Sequence, residues 1–287
     1  MSVTITEPGI YDGIANEDYH RDPIPAKSLS VSGAKMLLAP STPAHFRYSQ
    51  DNPGEHKDVF DFGTAAHSVV LEGSEECLKV IDAPDWRTKK AQEEKASAYA
   101  HGKTPLLTKD LAQVRAMAKA IKAHPIASKL FSNGKPEQSA FWQDKATGVW
   151  RRARFDWLPE IDHNRRLIIP DYKTAVSAAT SKFAKVAGDL RYYMQDAWYR
   201  DAIREMNIHQ DVAFVFVVQE KTAPYAVNVI ELDTVAVKLG REMNRKAIEV
   251  FDLCQRTGTW PQYSGINLTS LPLWAEREAE GILENAS

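Results

Sequence analysis

Cysteine is scarce in this chain of 287 residues, which contains only Cys77 and Cys254. The two lie far apart and form no C-x-x-C pair, which excludes a four-thiolate zinc or iron–sulfur site and is typical of a reducing compartment. Long apolar runs are missing too: no window approaches the roughly 18 residues of a membrane span, and the first residues show no leader pattern. We therefore expect a cytoplasmic protein that does not contact a membrane.

A net positive charge is also lacking. The formal net charge is −2, from 36 Lys and Arg against 38 Asp and Glu, so no whole-molecule field indicates a polyanionic partner. The charge is segregated, however, because residues 76–135 hold 12 basic and 6 acidic side chains. A helix predicted from about Asp110 to Lys122 turns its lysines outward, and a solvated lysine face is the simplest interpretation of that excess.

The pattern of strands and helices predicts one α/β domain. QSAFWQD and VWRRARFDWL flank a KATG turn and predict a β-hairpin, and RLIIPDYKT predicts a further strand with a bulge or end at Pro170. A buried helix is predicted for Phe62 to Leu71, an amphipathic helix for about Asp189 to Met206 and a long helix for Thr234 to Cys254. Strand pairs flanked by helices give a mixed sheet with helical layers.

Three familiar motifs are rejected. His101-Gly102-Lys103-Thr104 imitates the end of a phosphate loop, but its first glycine position holds Ser97. The S-x-x-K pattern from Ser32 to Lys35 is short enough to arise by chance and lacks the companion motifs of serine acyltransferases. The sequence contains neither an HExxH motif nor a histidine pair spaced i, i+4, so the usual pattern of a zinc hydrolase is missing.

The chemically informative stretch runs from Arg151 to Thr174. Asp156 ends one predicted strand, and Asp171 and Lys173 end the next, so pairing of the two strands as antiparallel neighbours would bring the carboxylates to one edge. Two carboxylates suit Mg²⁺, and a lysine beside the ion can orient or deprotonate an attacking water. The plain alternative is a surface salt bridge between Lys173 and an aspartate.

An ordered series of segments extends this pattern. It comprises YDGIANEDYH, SLSVSGAKMLLAPSTPAHFRY, FGTAAHSVVLEG, PEQSAFW, RRARFDWLPE, IIPDYKTA and YYMQDAWYRDAI. The series resembles the PD-(D/E)XK nuclease superfamily, and within it the nuclease domain of exodeoxyribonuclease VIII (RecE), more distantly those of RecB and λ exonuclease. The resemblance implies a restriction-endonuclease-like α/β fold, with an N-terminal extension at 1–60 and a nuclease core at 61–287 within a single domain.

The resemblance also implies roles for individual residues. Metal ligands would be His67, Asp156, Asp171, the Tyr172 carbonyl and, with a less definite role, Glu137. Catalytic residues would be Lys173, Asp171 and Asp156, joined by Gln195 and Tyr199 of a Q-x-x-x-Y signature. DNA phosphates would be held by Arg151, Arg152 and Arg154 and by Ser30 and Ser32 at a helix N-terminus.

The expected activity is a Mg²⁺-dependent 5′→3′ exodeoxyribonuclease, with Mn²⁺ as a substitute, that acts on linear double-stranded DNA and leaves a 3′ single strand. The resemblance implies a ring-shaped homo-oligomer and a RecT-type single-strand annealing partner. One alternative is a RecB-like or CRISPR-adaptation-type nuclease acting on single strands, although the latter usually carries a four-cysteine cluster. A non-catalytic DNA-end-binding module of the same fold is the alternative from another class.

Overall fold

The structure is a computed structural model that describes residues 3–52 and 61–285. The strands are β1 (Gly9–Tyr11), β2 (Ser28–Ser30), β3 (Leu78–Ile81), β4 (Thr104–Leu107), β5 (Gly134–Gln143), β6 (Trp150–Pro159), β7 (Leu167–Ala175), β8 (Val212–Glu220) and β9 (Val227–Glu231). The helices are α1 (Asn16–Arg21), α2 (Val31–Met36), α3 (Pro43–Asp51), α4 (Asp61–His67), α5 (Lys89–Ala100), α6 (Thr108–Ala123), α7 (Ala127–Leu130), α8 (Thr180–Asp189), α9 (Tyr192–Glu205), α10 (Thr234–Thr257) and α11 (Leu273–Asn285).

Two mixed sheets form the centre of the fold. The first has the order β1-β5-β6-β2, in which β2 runs parallel to β6 and the other pairs are antiparallel. The second has the order β7-β8-β9, with β7 parallel to β8 and β8 antiparallel to β9. Strands β3 and β4 form a small parallel pair. The helices flank these sheets, so the predicted α/β architecture is confirmed.

Helix α9 occupies the centre of the hydrophobic core. Every residue from 194 to 203 is buried, because α9 packs against β6 and β8 on one side and against α10 on the other. The helix was expected to be amphipathic, with one solvated face. Its polar side chains instead find internal partners, such as the buried ion pair between Arg200 and Asp196.

The chain segments at either end behave differently from each other. Strands β1 and β2 join the same sheet as β5 and β6, and Ser30 caps α2 by accepting a hydrogen bond from the Gly33 amide at 3.2 Å. Helix α11, in contrast, has no buried residue.

The predicted boundary at residue 60 falls in 53–60, outside the described residues. No helix within 3–52 or 61–285 is long and apolar enough to cross a membrane.

Two local predictions are wrong. Strands β6 and β7 were expected to pair as antiparallel neighbours, but each forms its ladder in a different sheet. Strand β7 also runs through Pro170 without ending there. The Tyr172 amide faces β6 and donates to a side chain there. Residues two apart in a strand share an edge, so Pro170 also turns its missing N–H toward β6, where no ladder needs it.

Candidate active site

Strand β7 carries an ion pair in the protein interior. The Lys173 Nζ lies 2.6 Å from Asp171 Oδ2, and the side chain of Asp171 is only 2% exposed. The other carboxylate oxygen, Oδ1, accepts a hydrogen bond of 2.7 Å from Gln195 Nε2 of α9. Strand alternation places residues 171 and 173 on one face, as predicted. Both oxygens of Asp171 are therefore engaged by the protein's own groups.

Asp156 reaches the same point from β6. Its Oδ2 accepts a hydrogen bond of 2.8 Å from the Tyr172 amide, which links the two sheets where no ladder joins β6 to β7. The N–H and C=O of one strand residue point to the same side, so the Tyr172 carbonyl also faces this edge. The carboxylates of β6 and β7 thus converge by a side-chain bond instead of strand pairing.

His67 joins Asp156 from the last residue of α4. Its Nδ1 lies 3.8 Å from Asp156 Oδ2, and its ring contacts the Tyr172 ring edge-on at 5.3 Å between centroids. The chain continues from His67 into a π-helical turn, Ser68–Glu72. Such turns are rare and are frequent at functional sites. The predicted buried helix therefore exists in two parts, and His67 stands at their junction.

Glu137 completes the cluster through an unusual backbone conformation. The β5–β6 register pairs Pro136 with Trp157 and Gln138 with Phe155, which puts Glu137 opposite Asp156. Glu137 has a φ of 51°, a left-handed conformation that costs a non-glycine residue about 1–3 kcal/mol. Arg154 Nε donates a 2.5 Å hydrogen bond to Glu137 Oε2. The ion pair and the sheet hold this strained residue toward Asp156.

His67, Glu137 and Asp156 form a possible metal centre. One imidazole nitrogen of His67 and one carboxylate oxygen each of Glu137 and Asp156 lie within 4.8 Å of one another. Carboxylate oxygens suit hard divalent cations such as Mg²⁺ and Mn²⁺, whereas imidazole is more typical of Zn²⁺ and Fe²⁺ sites. The donor set therefore fits a divalent cation, with Asp171 and Lys173 beside it.

The electrostatics of the site also favour a cation. Burial and the neighbouring Glu137 together raise the pKa of Asp156 to about 6, against the opposing effect of Lys173. Burial likewise raises the pKa of Asp171 to about 6. Burial lowers the pKa of His67, as does the nearby Lys173, so its imidazole is neutral and free to ligate. Closely packed carboxylates with raised pKa values are stabilised by a bound divalent ion.

The Q-x-x-x-Y pair connects α9 to both strands. Gln195 holds Asp171 on β7, while the Tyr199 hydroxyl donates to the Arg154 carbonyl on β6 at 2.8 Å. Both side chains are buried. Spacing of i, i+4 brings them to one face of the helix, as expected. Their contacts position the two acid-bearing strands, which makes them positioning residues for the site.

The predicted phosphate-binding residues divide into interior and surface groups. Arg151 is enclosed by Trp142 and Trp198 and pairs with Glu205. Arg152 is buried and pairs with Asp22, and Arg154 is committed to Glu137. We therefore assign these arginines to packing and to support of the site, with no phosphate role. Ser30 serves as the cap of α2, whereas Ser32 is exposed.

Two residues that the sequence did not single out lie beside this site. The ring of Tyr192, at the start of α9, has Lys173 Nζ at 5.4 Å and Lys35 Nζ at 5.6 Å from its centroid. Lys35 belongs to the rejected S-x-x-K pattern, and no local signal connects it with β7. Only the packing of α2 against α9 brings it there.

Comparisons with known proteins agree with this geometry. The family model described as "PDDEXK-like domain of unknown function (DUF3799)" matches residues 30–268. The crystal structure of a protein from Eubacterium rectale, described as a "putative exonuclease", superposes with a TM-score of 0.57 at 14% identity, covering 85% of this chain and 87% of that one. No curated protein matches the sequence. The chain belongs to the PDDEXK-like DUF3799 family and has the fold of PD-(D/E)XK nucleases.

Proposed function

We propose that this protein is a divalent-metal-dependent deoxyribonuclease that hydrolyses phosphodiester bonds at the site formed by His67, Glu137, Asp156, Asp171 and Lys173. One observation carries the proposal: a neutral imidazole and two carboxylates converge within 4.8 Å, beside the ion pair between Lys173 and the buried Asp171. Titratable groups whose pKa values are strongly shifted by burial and by one another, as in this cluster, concentrate at functional sites. Membership of a PDDEXK-like family supports the same chemistry.

Each residue has a distinct role in the proposed reaction. His67, Glu137 and Asp156 would hold the cation, which when bound supplies Lewis acidity at the scissile phosphate. Lys173 carries a positive charge, since Asp171 and Asp156 together outweigh the effect of burial and raise its pKa. Its ammonium can orient the attacking water and offset negative charge that develops at the phosphate. Asp171, held by Gln195, fixes the direction of that ammonium.

The proposed substrate is linear double-stranded DNA, degraded 5′→3′ with Mg²⁺ as the physiological ion and Mn²⁺ as a substitute. The 3′ single strand left behind would serve recombination through a RecT-type annealing protein, in the cytoplasm. The ordered series of RecE-like segments supports this specific activity. The hard carboxylate oxygens of Glu137 and Asp156 support the choice of ion.

The test uses linear duplex labelled at either the 5′ or the 3′ end. The purified protein is expected to release 5′-labelled mononucleotides early with Mg²⁺ or Mn²⁺ and to be inactive with EDTA. Asp171→Asn and Lys173→Ala are expected to reduce the rate at least 100-fold, and Asp162→Asn, an exposed carboxylate beyond β6, to leave it unchanged. DNA binding without cleavage would favour an end-binding module, and early release from the 3′ end or from single strands alone would refute the assigned polarity and substrate.

We also propose that the protein assembles as a ring-shaped homo-oligomer. Large apolar side chains are exposed along the segment that ends in α11, among them Ile266, Leu268, Trp274 and Leu283. Apolar clusters of this kind are typical of interaction surfaces. Light scattering of the full chain is expected to give a single multiple of the monomer mass that does not grow with concentration, and a chain ending at residue 264 is expected to give the monomer mass. A full chain that is monomeric at micromolar concentration would refute the proposal.

A further inference from the structure

A second lysine lies beside Lys173 at the candidate active site. Both ammonium groups face the ring of Tyr192, at 5.4 Å for Lys173 and 5.6 Å for Lys35, so the two nitrogens lie at most about 11 Å apart. Lys173 has Asp171 as its partner. Among the described residues, no carboxylate forms an ion pair with Lys35. Its ammonium donates one hydrogen bond, of 2.8 Å, to the Leu190 carbonyl.

The position of Lys35 is fixed by reciprocal contacts between α2 and α9. Lys35 donates to the residue before Arg191, and the Arg191 guanidinium donates back to the carbonyls of Lys35 and Ala39. Arg191 adopts a left-handed φ of 53° at the N-cap of α9. Such a conformation is costly outside glycine and persists where the surroundings enforce it. The backbone that carries Lys35 is therefore placed firmly against the cleft.

The packing of α2 on α3 also fixes the position of Lys35. A Cβ at Gly33 would lie 2.8 Å from the Phe46 ring, so only glycine allows α2 to sit this close to α3. Phe46 in turn contacts Phe251 of α10 edge-on, with 5.6 Å between ring centroids. The helix that carries Lys35 is thus fixed by the hydrophobic core, while the ammonium group lies against the Tyr192 ring.

An ammonium has three donor hydrogens, and the Leu190 carbonyl accepts only one of them. Burial and repulsion from Lys173 lower the pKa of Lys35 to about 8, against the opposing attraction of Asp171. A phosphodiester oxygen would satisfy the free donors and the charge together. We propose that Lys35 binds the phosphate adjacent to the scissile phosphate on the cleaved strand, with Tyr192 separating the two positions. This inference rests on the proposed nuclease function.

The test measures DNA binding as a function of salt, with Ca²⁺ replacing Mg²⁺ so that the duplex persists. Lys35→Gln keeps a donor for the Leu190 carbonyl but removes the charge. Loss of one phosphate contact is expected to make the slope of log K against log[salt] shallower by about 0.9 and to weaken binding about fivefold at 0.1 M salt. Lys89→Gln, whose wild-type side chain is 92% exposed on α5, is the matched control and should keep the parent slope.

Lys35→Arg distinguishes charge from packing, because it retains the cation and is expected to keep the parent slope. An unchanged slope for Lys35→Gln would overturn the proposal, as would equal losses for the Gln and Arg variants. Melting temperatures of all variants show whether the fold survives. A parent protein that binds DNA but never cleaves it would refute the nuclease function, while the salt slopes would still decide the role of Lys35.

Discussion

Replacing Asp156 with asparagine is expected to stabilise the metal-free protein while it abolishes activity. The Asp156 side chain is 17% exposed and lies next to Glu137, and its pKa is raised from 3.8 to about 6. The folded state therefore holds a proton that the unfolded state has already released between those two values. The stabilisation from this proton is complete below about pH 4 and is lost as the pH rises through 6. At pH 7.5 the ionised group is a net cost to folding.

The size of that cost follows from the pKa shift. A shift of about two units corresponds to roughly 3 kcal/mol, and the coupling to Lys173 and Glu137 makes about 1–3 kcal/mol the appropriate range. Asparagine retains an oxygen that can accept the hydrogen bond from the Tyr172 amide, which Asp156 Oδ2 accepts at 2.8 Å. The expected result in EDTA at pH 7.5 is a rise in Tm of about 2–8 °C.

Thermal and denaturant unfolding of Asp156→Asn with EDTA and with Mg²⁺ test this expectation. Asp144→Asn is the matched control, since the hydrogen bonds from Arg245 and Thr147 outweigh burial and lower the pKa of Asp144. That substitution is expected to destabilise the protein by about 1–3 kcal/mol, the opposite sign. A lower Tm for Asp156→Asn than for the parent in EDTA, or an undiminished Mg²⁺-induced increment, would refute the reasoning.

Two further outcomes are expected. Mg²⁺ should raise the Tm of the parent at pH 7.5, and the increment should shrink below about pH 6, where Asp156 and Asp171 take up protons and cease to attract the ion; an equal increment at pH 5 would contradict this. Gly240→Ala should cost about 2–4 kcal/mol in denaturant unfolding, because a Cβ there would lie 2.0 Å from the Tyr193 carbonyl oxygen. Gly281→Ala on α11, where a Cβ meets nothing within 4 Å, should change stability by less than about 1 kcal/mol.

Elements with a strong local pattern could be predicted from the sequence. Helix α6 was expected from about Asp110 to Lys122 and extends over Thr108–Ala123, since its apolar residues repeat at helical spacing. Helix α10 begins at Thr234 as expected, because Asp233 caps it through the Ala236 amide at 2.7 Å. The β5–β6 hairpin also follows from its turn and aromatic flanks. In each case the signal lies within one element or one turn.

Features that depend on contacts between distant segments could not be predicted in this way. The full burial of α9 arises from α10, which covers the face that an amphipathic helix would otherwise expose to solvent. The link from Asp156 to the Tyr172 amide replaces the expected ladder, and no periodicity encodes a side-chain bond between sheets. The left-handed φ of Glu137 is equally invisible, because glutamate has no preference for that conformation.

The charge balance of the site gives a reason for the proposed cation and Lys35 to bind neighbouring phosphates together. Among the residues that form the candidate centre and the arginine bonded to it, three carboxylates (Glu137, Asp156 and Asp171) face two cations (Lys173 and Arg154), which leaves one net negative charge with His67 neutral. A divalent ion turns this into one positive charge, enough to balance the scissile phosphate alone. A polynucleotide brings the neighbouring phosphate as well, and in a half-buried cleft that second anion would be costly without a counter-charge. In the proposed complex Lys35, which has no carboxylate ion-pair partner among the described residues, would supply that counter-charge.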